Sequence, residues 1–304
     1  MRFTTLVCIS IAVAFIETRG KETEESPIDW DQVEPMLQFP ESLDDYLSDD
    51  DASDRVPATK RIYGGKVAEP HSFPYQVGLL IRTSHGEHWC GGALISDRFI
   101  VTAAHCVDRS LNILIFLGAH EIRNSKEPGQ KRYPVSRRNV LVHPNWVPRL
   151  LKNDIALVRL PKVITFNDKI QPINLPSYSD TLENFEGRKA VASGWGKFSR
   201  DSKISFVLRY FRAPVINLKF CRKMYPKILQ PTNICVSGAY DRSTCSGDSG
   251  GPLIVWDYFS DTQILVGITS FGSILGCDKG FPSVFTRISS YLDWISDNTN
   301  VFIE

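Results

Sequence analysis

From residue 62 onward the apolar positions fall in short blocks, each bounded by Gly, Pro, Asn, Asp or Ser. The blocks Tyr75–Arg82, Gly92–Ile95, Phe99–Thr102, Ile113–Leu117, Asp154–Arg159, Ala190–Ser193, Pro252–Val255, Leu265–Ser270 and Ser283–Thr286 read as β-strands rich in Val, Ile, Leu and Phe. Many short strands between turn signals favour an all-β barrel or sandwich over alternating strands and helices. Near the C-terminus, Ile288, Tyr291, Leu292 and Ile295 recur three to four apart. That spacing predicts an amphipathic helix over Ser289–Asn298.

The first sixty residues follow a different pattern. Arg2 precedes a run, Leu6 to Ile16, that is apolar except for Cys8 and Ser10. A basic start and a short apolar centre predict a secretory signal peptide over residues 1–20, with cleavage sites readable after Ala14 and Gly20. The run is too short to span a bilayer, and no other apolar stretch is long enough. From Lys21 to Lys60 thirteen acidic side chains face Lys21, Arg55 and Lys60. Such a charge excess with few core residues predicts a disordered, solvated segment. It ends at the dibasic pair Lys60-Arg61, so residues 21–61 read as an acidic pro-segment and residues 62–304 as the folded domain.

Charge sharpens this division. The whole chain carries only +1, yet beyond Arg61 there are 29 basic and 20 acidic side chains, about +9. An acidic pro-segment and a basic domain attract each other over distance. No basic-aromatic nucleic-acid motif accompanies the excess, so no nucleic-acid partner is expected. Cys8 leaves with the signal peptide. Six cysteines remain, Cys90, Cys106, Cys221, Cys235, Cys245 and Cys277, with no Cys-x-x-Cys pair and no Asn-x-Ser/Thr site. An even set in an exported chain implies disulfides, of unassigned pairing at this point.

The chemistry centres on Gly247-Asp248-Ser249-Gly250-Gly251-Pro252. Amide hydrolysis needs a nucleophile, a general base and donors for the developing oxyanion. Glycines around Ser249 let the backbone turn tightly, and the amides of Gly247 and Ser249 then form an oxyanion hole. Thr102-Ala103-Ala104-His105-Cys106 sets one histidine after a strand and beside a cysteine. Asn153-Asp154-Ile155-Ala156-Leu157 opens an apolar strand with an aspartate, and Ser270-Phe271-Gly272 closes another.

Together these segments resemble the chymotrypsin/trypsin family of serine proteases from Ile62 to the C-terminus. The order His, Asp, Ser separates this pattern from subtilisin-like and α/β-hydrolase enzymes. The region Ile62–Leu80, which includes Glu69–Val77, also resembles the arthropod chymotrypsins and collagen-cleaving brachyurins, the pattern nearest to this chain. The resemblance implies two six-stranded antiparallel β-barrels with a C-terminal α-helix. It implies Ser249 as nucleophile, His105 as general base and Asp154 as the group that orients the imidazole. It also implies the disulfides Cys90–Cys106, Cys221–Cys235 and Cys245–Cys277.

Arg61-Ile62-Tyr63-Gly64-Gly65 is similar to the family's activation junction, with Tyr63 where valine is commoner. Cutting after Arg61 frees the Ile62 ammonium to pair with Asp248. The pro-segment holds no cysteine, so it is expected to dissociate once cut. Ser243 stands at the floor of the specificity pocket, where trypsin-like enzymes carry an aspartate; Gly272 and Ser283 form its walls. The uncharged floor implies preference for large apolar or aromatic residues. Ser283, where glycine is usual, implies narrowing, hence elastase-like or collagenolytic cleavage as the alternative. Ser270 and Gly272 pair with the substrate backbone as an added strand. A secreted binding protein on the same fold is the reading from another class, and the complete set of three residues weighs against it. No cofactor is expected. The loop Ala119-His120-Glu121 with Glu127 lacks the family's calcium-binding pattern, so no metal is expected either. The implied partners are protein or peptide substrates, a trypsin-like activating protease and protein protease inhibitors. The enzyme is expected to be extracellular and monomeric, with no membrane partner.

Overall fold

The computed structural model describes residues 27–36, 65–257 and 261–303. The signal peptide and the Arg61-Ile62 junction lie outside the described residues. Fifteen strands follow one another among them: β1 Val33–Pro35, β2 Lys66–Val67, β3 Gln76–Thr83, β4 Gly86–Leu94, β5 Phe99–Thr102, β6 Asn112–Leu117, β7 Lys131–Ser136, β8 Val140–Val142, β9 Ala156–Arg159, β10 Lys189–Gly194, β11 Arg209–Ile216, β12 Asn233–Val236, β13 Pro252–Asp257, β14 Thr262–Phe271 and β15 Ser283–Arg287. Three short helices, α1 Ala104–Val107, α2 Leu218–Met224 and α3 Leu292–Asn298, complete the set.

The strands form two sheets, each rolled towards a barrel. In the first the order is β7-β6-β3-β4-β5-β9-β8. A single 3-10 turn, Arg137–Asn139, separates β7 from β8, so the pair is one broken strand and the barrel has six. The second runs β10-β13-β14-β15-β12-β11 and closes through β10 and β11, with β2 added outside β11. Closure pairs most of each strand within its barrel, but the start of β4 and the start of β11 keep a free side, which β1 and β2 take up.

Side-chain alternation explains the packing. On β3, Val77, Leu79 and Ile81 point into the first core, beside Ile113, Ile115 and Leu157. The intervening Leu80 faces outward into a second cluster with Trp89, Phe116 and Trp195. The other barrel is filled by Ala192, Phe211, Val215, Val255, Val266 and Phe285. The C-terminal helix lays Leu292 and Ile295 on the first core, preceded by a 3-10 turn at Ile288–Ser290. Three disulfides staple the loops: Cys90–Cys106 joins β4 to α1, Cys221–Cys235 joins α2 to β12, and Cys245–Cys277 joins the two loops flanking the pocket.

One expectation needs correction. Residues 27–36 of the acidic segment are not solvated coil. They form a turn and then β1, which pairs in parallel with β4. The reason is local composition: Ile28, Trp30 and Val33 interrupt the acids and join the outer cluster, where Val33 is buried. Apolar burial outweighs a charge pattern that held only on average.

Candidate active site

Asp154 lies fully buried between the barrels, just before β9. Its Oδ1 accepts the His105 backbone N–H at 2.9 Å, and Oδ2 accepts from His105 Nδ1 at 2.8 Å and from Ser270 Oγ at 2.6 Å. A buried carboxylate without such donors would be strongly destabilising. Its neighbours are fixed as well. Thr286 Oγ1 donates to the Asp154 carbonyl at 2.8 Å, and Tyr291 Oη donates to Asn153 Oδ1 at 3.0 Å. Asn153 itself adopts φ 57°, a left-handed turn that asparagine tolerates better than most residues.

His105 sits on α1, one residue before the Cys106 half of a disulfide. Because an ionised Asp154 only accepts, the ring proton resides on Nδ1 and leaves Nε2 free to take a proton. Burial pushes the imidazole's pKa down. Asp154's charge and hydrogen bond, aided by Asp108, together overcome this and raise it above the ordinary 6.5. The sulfurs of Cys90 and Cys106 lie close to this ring, but they are bonded to each other and offer no thiolate to a metal.

The loop around Ser249 docks between β4 of the first barrel and β14 of the second. The Ser249 carbonyl accepts from Gly91 N at 2.7 Å, and Gly250 N donates to Thr269 O at 2.8 Å. Gly250 has φ +76°, and any side chain there would collide with Thr102 Oγ1, two residues before the helix of His105. Ser249 Oγ is buried without a hydrogen-bond partner among the described residues. The amides of Gly247 and Ser249 likewise donate to no described residue. Ser249 Oγ thus makes no hydrogen bond to His105 Nε2, which lies 3.9 Å from Cys106 Sγ.

Asp248 points the other way, into the interior. Its Oδ1 accepts from Gly196 N at 2.7 Å and its Oδ2 from Cys245 N at 2.9 Å. Burial raises its pKa from 3.8 to about 6 despite those two amides, and no cation pairs with it among the described residues.

Ser243, Gly272 and Ser283 meet around one narrow cavity of about 10 Å³. Ser243 Oγ donates to Cys277 O at 2.6 Å, and Ser283 Oγ accepts Thr244 N at 3.0 Å. Asp241 does not line it. The Ser270 hydroxyl, read from sequence only as part of a substrate-pairing strand, is committed to Asp154. A serine after a hydrophobic strand carries no sequence mark of that contact.

Residues 62–295 match the family model described as Trypsin. The chain belongs to the trypsin family. Among its relatives are a collagenase from Hypoderma lineatum, 37% identical over 79% of this chain and 88% of the relative, and a brachyurin from Leptuca pugilator, 37% identical over 79% and 99%. A chymotrypsin from Phaedon cochleariae is 34% identical over 86% of this chain and 91% of its own. A solved structure of HL collagenase superposes with a TM-score of 0.71 at 35% identity, covering 79% of this chain and 99% of that one. This trypsin-family chain is a serine endopeptidase acting on protein substrates, and its three disulfides fit an oxidising compartment.

Proposed function

We propose that the chain is a secreted zymogen whose catalytic residues are His105, Asp154 and Ser249. Ser249 Oγ attacks the scissile carbonyl while His105 Nε2 takes its proton. Asp154 holds the imidazole and stabilises its charged form, and the amides of Gly247 and Ser249 bind the oxyanion. His105 then gives its proton to the leaving amine. The observation that carries this reading is the 2.8 Å bond from His105 Nδ1 to a fully buried Asp154.

Activation is by cleavage after Arg61 by a trypsin-like protease, which creates the Ile62 ammonium. Asp248, buried and with no cation partner among the described residues, supports this step, because a charge in that position needs a partner. Residues 1–20 direct export and residues 21–61 are the pro-segment cut from the domain at Arg61; the enzyme acts outside the cell as a monomer on protein substrates and is a target of protein inhibitors.

The pocket floor, Ser243, carries no charge, which supports cleavage after uncharged residues, with large apolar or aromatic side chains as the first reading. The cavity of about 10 Å³ favours a second. It holds about one water-sized sphere, and an aromatic ring enters only if the walls move. Small apolar residues, as in elastase-like or collagenolytic cleavage, need less movement. A cleavage-site profile of the trypsin-activated protein on a mixed peptide pool, with Ser249→Ala as control, tests both. Cuts after Phe, Tyr or Leu that vanish in the variant support the first, and cuts after Ala or Val the second. Serine-independent cutting, or none, refutes the catalytic assignment.

A further inference from the structure

The outer face of the first barrel is strongly apolar. Leu80, Trp89, Phe116 and Trp195 are all buried there, with the Trp89 ring 5.2 Å from Phe116 and 5.8 Å from Trp195. A bare patch of that kind is rare on a soluble protein. Residues 27–36 cover it. Trp30 lies 5.7 Å from Trp89 and 6.1 Å from Phe116, and Arg123 stands 5.8 Å over the Trp30 ring. β1 adds to the otherwise unpaired side of β4 at Glu87–Trp89, and Met36 N continues the pairing to Trp89 O at 3.1 Å. Lys203 Nζ reaches the Asp31 carbonyl at 3.0 Å.

The strand ends at the catalytic machinery. A side-chain carbon built on Gly247 would lie 3.5 Å from Pro35 Cβ, and Gly247 supplies one of the two oxyanion amides. Trp89, the partner of Pro35, directly precedes the Cys90 that is bridged to Cys106 beside His105. The specificity cavity is on the second barrel, so the substrate chain before the scissile bond lies there. The chain after that bond must leave across Gly247 towards Trp89, where Pro35 and Met36 sit.

We propose that residues 27–36 are a resident occupant of the leaving-group side of the cleft, held by strand addition to β4. This rests on the reading that the chain is cut after Arg61. Once cut, the segment has no covalent tie, yet all the contacts above remain, so the pro-segment stays as a non-covalent inhibitor rather than dissociating. The acids between Glu41 and Asp54 belong to the same fragment, and the domain from residue 62 carries about +9, so long-range attraction strengthens retention.

The full chain is cut with trypsin, the Ile62 terminus is verified by N-terminal sequencing, and the product is run through gel filtration with mass detection. The pro-fragment is expected in the enzyme peak. In Val33→Asp it is expected to separate, with turnover at least 10-fold higher. A synthetic peptide of residues 27–36 is expected to inhibit that separated enzyme, and the same peptide with Trp30→Ala at least 10-fold less. An active wild-type enzyme whose fragment elutes apart overturns the proposal, as does a peptide without effect on turnover. If Val33→Asp with a verified Ile62 terminus and a separated fragment is also inactive, the activation reading fails instead. Hydrogen exchange on the full chain then decides docking. Slow exchange at the Met36 amide that quickens at least 10-fold in Val33→Asp upholds it, and equal exchange overturns it.

Discussion

Ser270 donates its hydroxyl to the same Asp154 oxygen that accepts the proton of His105 Nδ1, at 2.6 Å against 2.8 Å. The carboxylate is thereby pinned from two sides, by α1 of the first barrel and by β14 of the second. The orientation of the His105 imidazole therefore depends on both barrels, and on the proposed mechanism Ser270 positions it.

Ser270→Ala removes a hydrogen bond to a charged group, worth about 1.5–3 kcal/mol. A fall of roughly 10-fold in kcat/KM is expected, since every 1.4 kcal/mol or so is tenfold in rate. The bared Oδ2 concentrates more charge opposite His105, so the acidic limb of the pH–rate profile should move upward. Ser270→Thr keeps a hydroxyl and should restore most of the rate. An unmoved acidic limb in the alanine variant would mean that Ser270 acts only on packing.

The same geometry sets the working pH. Burial lowers the affinity of His105 for a proton, but the charge and hydrogen bond of Asp154 raise it more, and the result lies above 6.5. The base must be neutral to accept from Ser249. Activity is therefore lost as pH falls through that raised value, and kcat/KM is expected to be below half its maximum at pH 6.5. Asp154→Asn removes the cause of the rise: the limb should shift to lower pH while kcat drops about 10⁴-fold. A limb that stays put when Asp154 is changed would contradict this account.

Asp248 makes the opposite kind of prediction, about stability. Its folded pKa of about 6 stands above the ordinary 3.8, so the folded chain binds the proton more tightly than the unfolded one. Stability from this group is full below about pH 4 and declines as pH rises through 6, by about 3 kcal/mol at neutrality. The uncut Ser249→Ala chain should therefore lose roughly 5–10 °C in Tm between pH 4 and 7 relative to Asp248→Asn. After cleavage at Arg61 the Ile62 ammonium supplies a counter-charge, and that loss should largely disappear. Equal pH profiles for cut and uncut chains would separate Asp248 from activation.

Sequence legibility followed how local each signal was. The strand Phe99–Thr102 was readable to the residue, because apolar side chains fill it and Ser96 and Asp97 precede it. The block Gly92–Ile95 marks only the end of β4, since Gly86, Glu87 and His88 hide its first half. The helix at Ser289–Asn298 was placed, but its first turn tightened to a 3-10 form against the core. Contacts between distant segments left no such trace. Neither the Ser270–Asp154 bond, 116 positions apart, nor the docking of Val33 on the outer cluster is written in any window of the chain.

Ser283 is where specificity and stability pull against each other. Its hydroxyl accepts the buried Thr244 amide at 3.0 Å while its side chain lines the same cavity as Ser243. Ser283→Gly deepens the cavity, and a methylene's worth of room changes discrimination by about 1–3 kcal/mol. The ratio of kcat/KM for Phe over Ala substrates is expected to rise roughly 10-fold. The same change leaves the Thr244 N–H unpaired, which costs about 1–3 kcal/mol, so Tm should fall. Thermal melts beside a paired-substrate assay check both at once. A fall in Tm without a change in the Phe-to-Ala ratio would mean that Ser283 braces the wall without setting the pocket's depth.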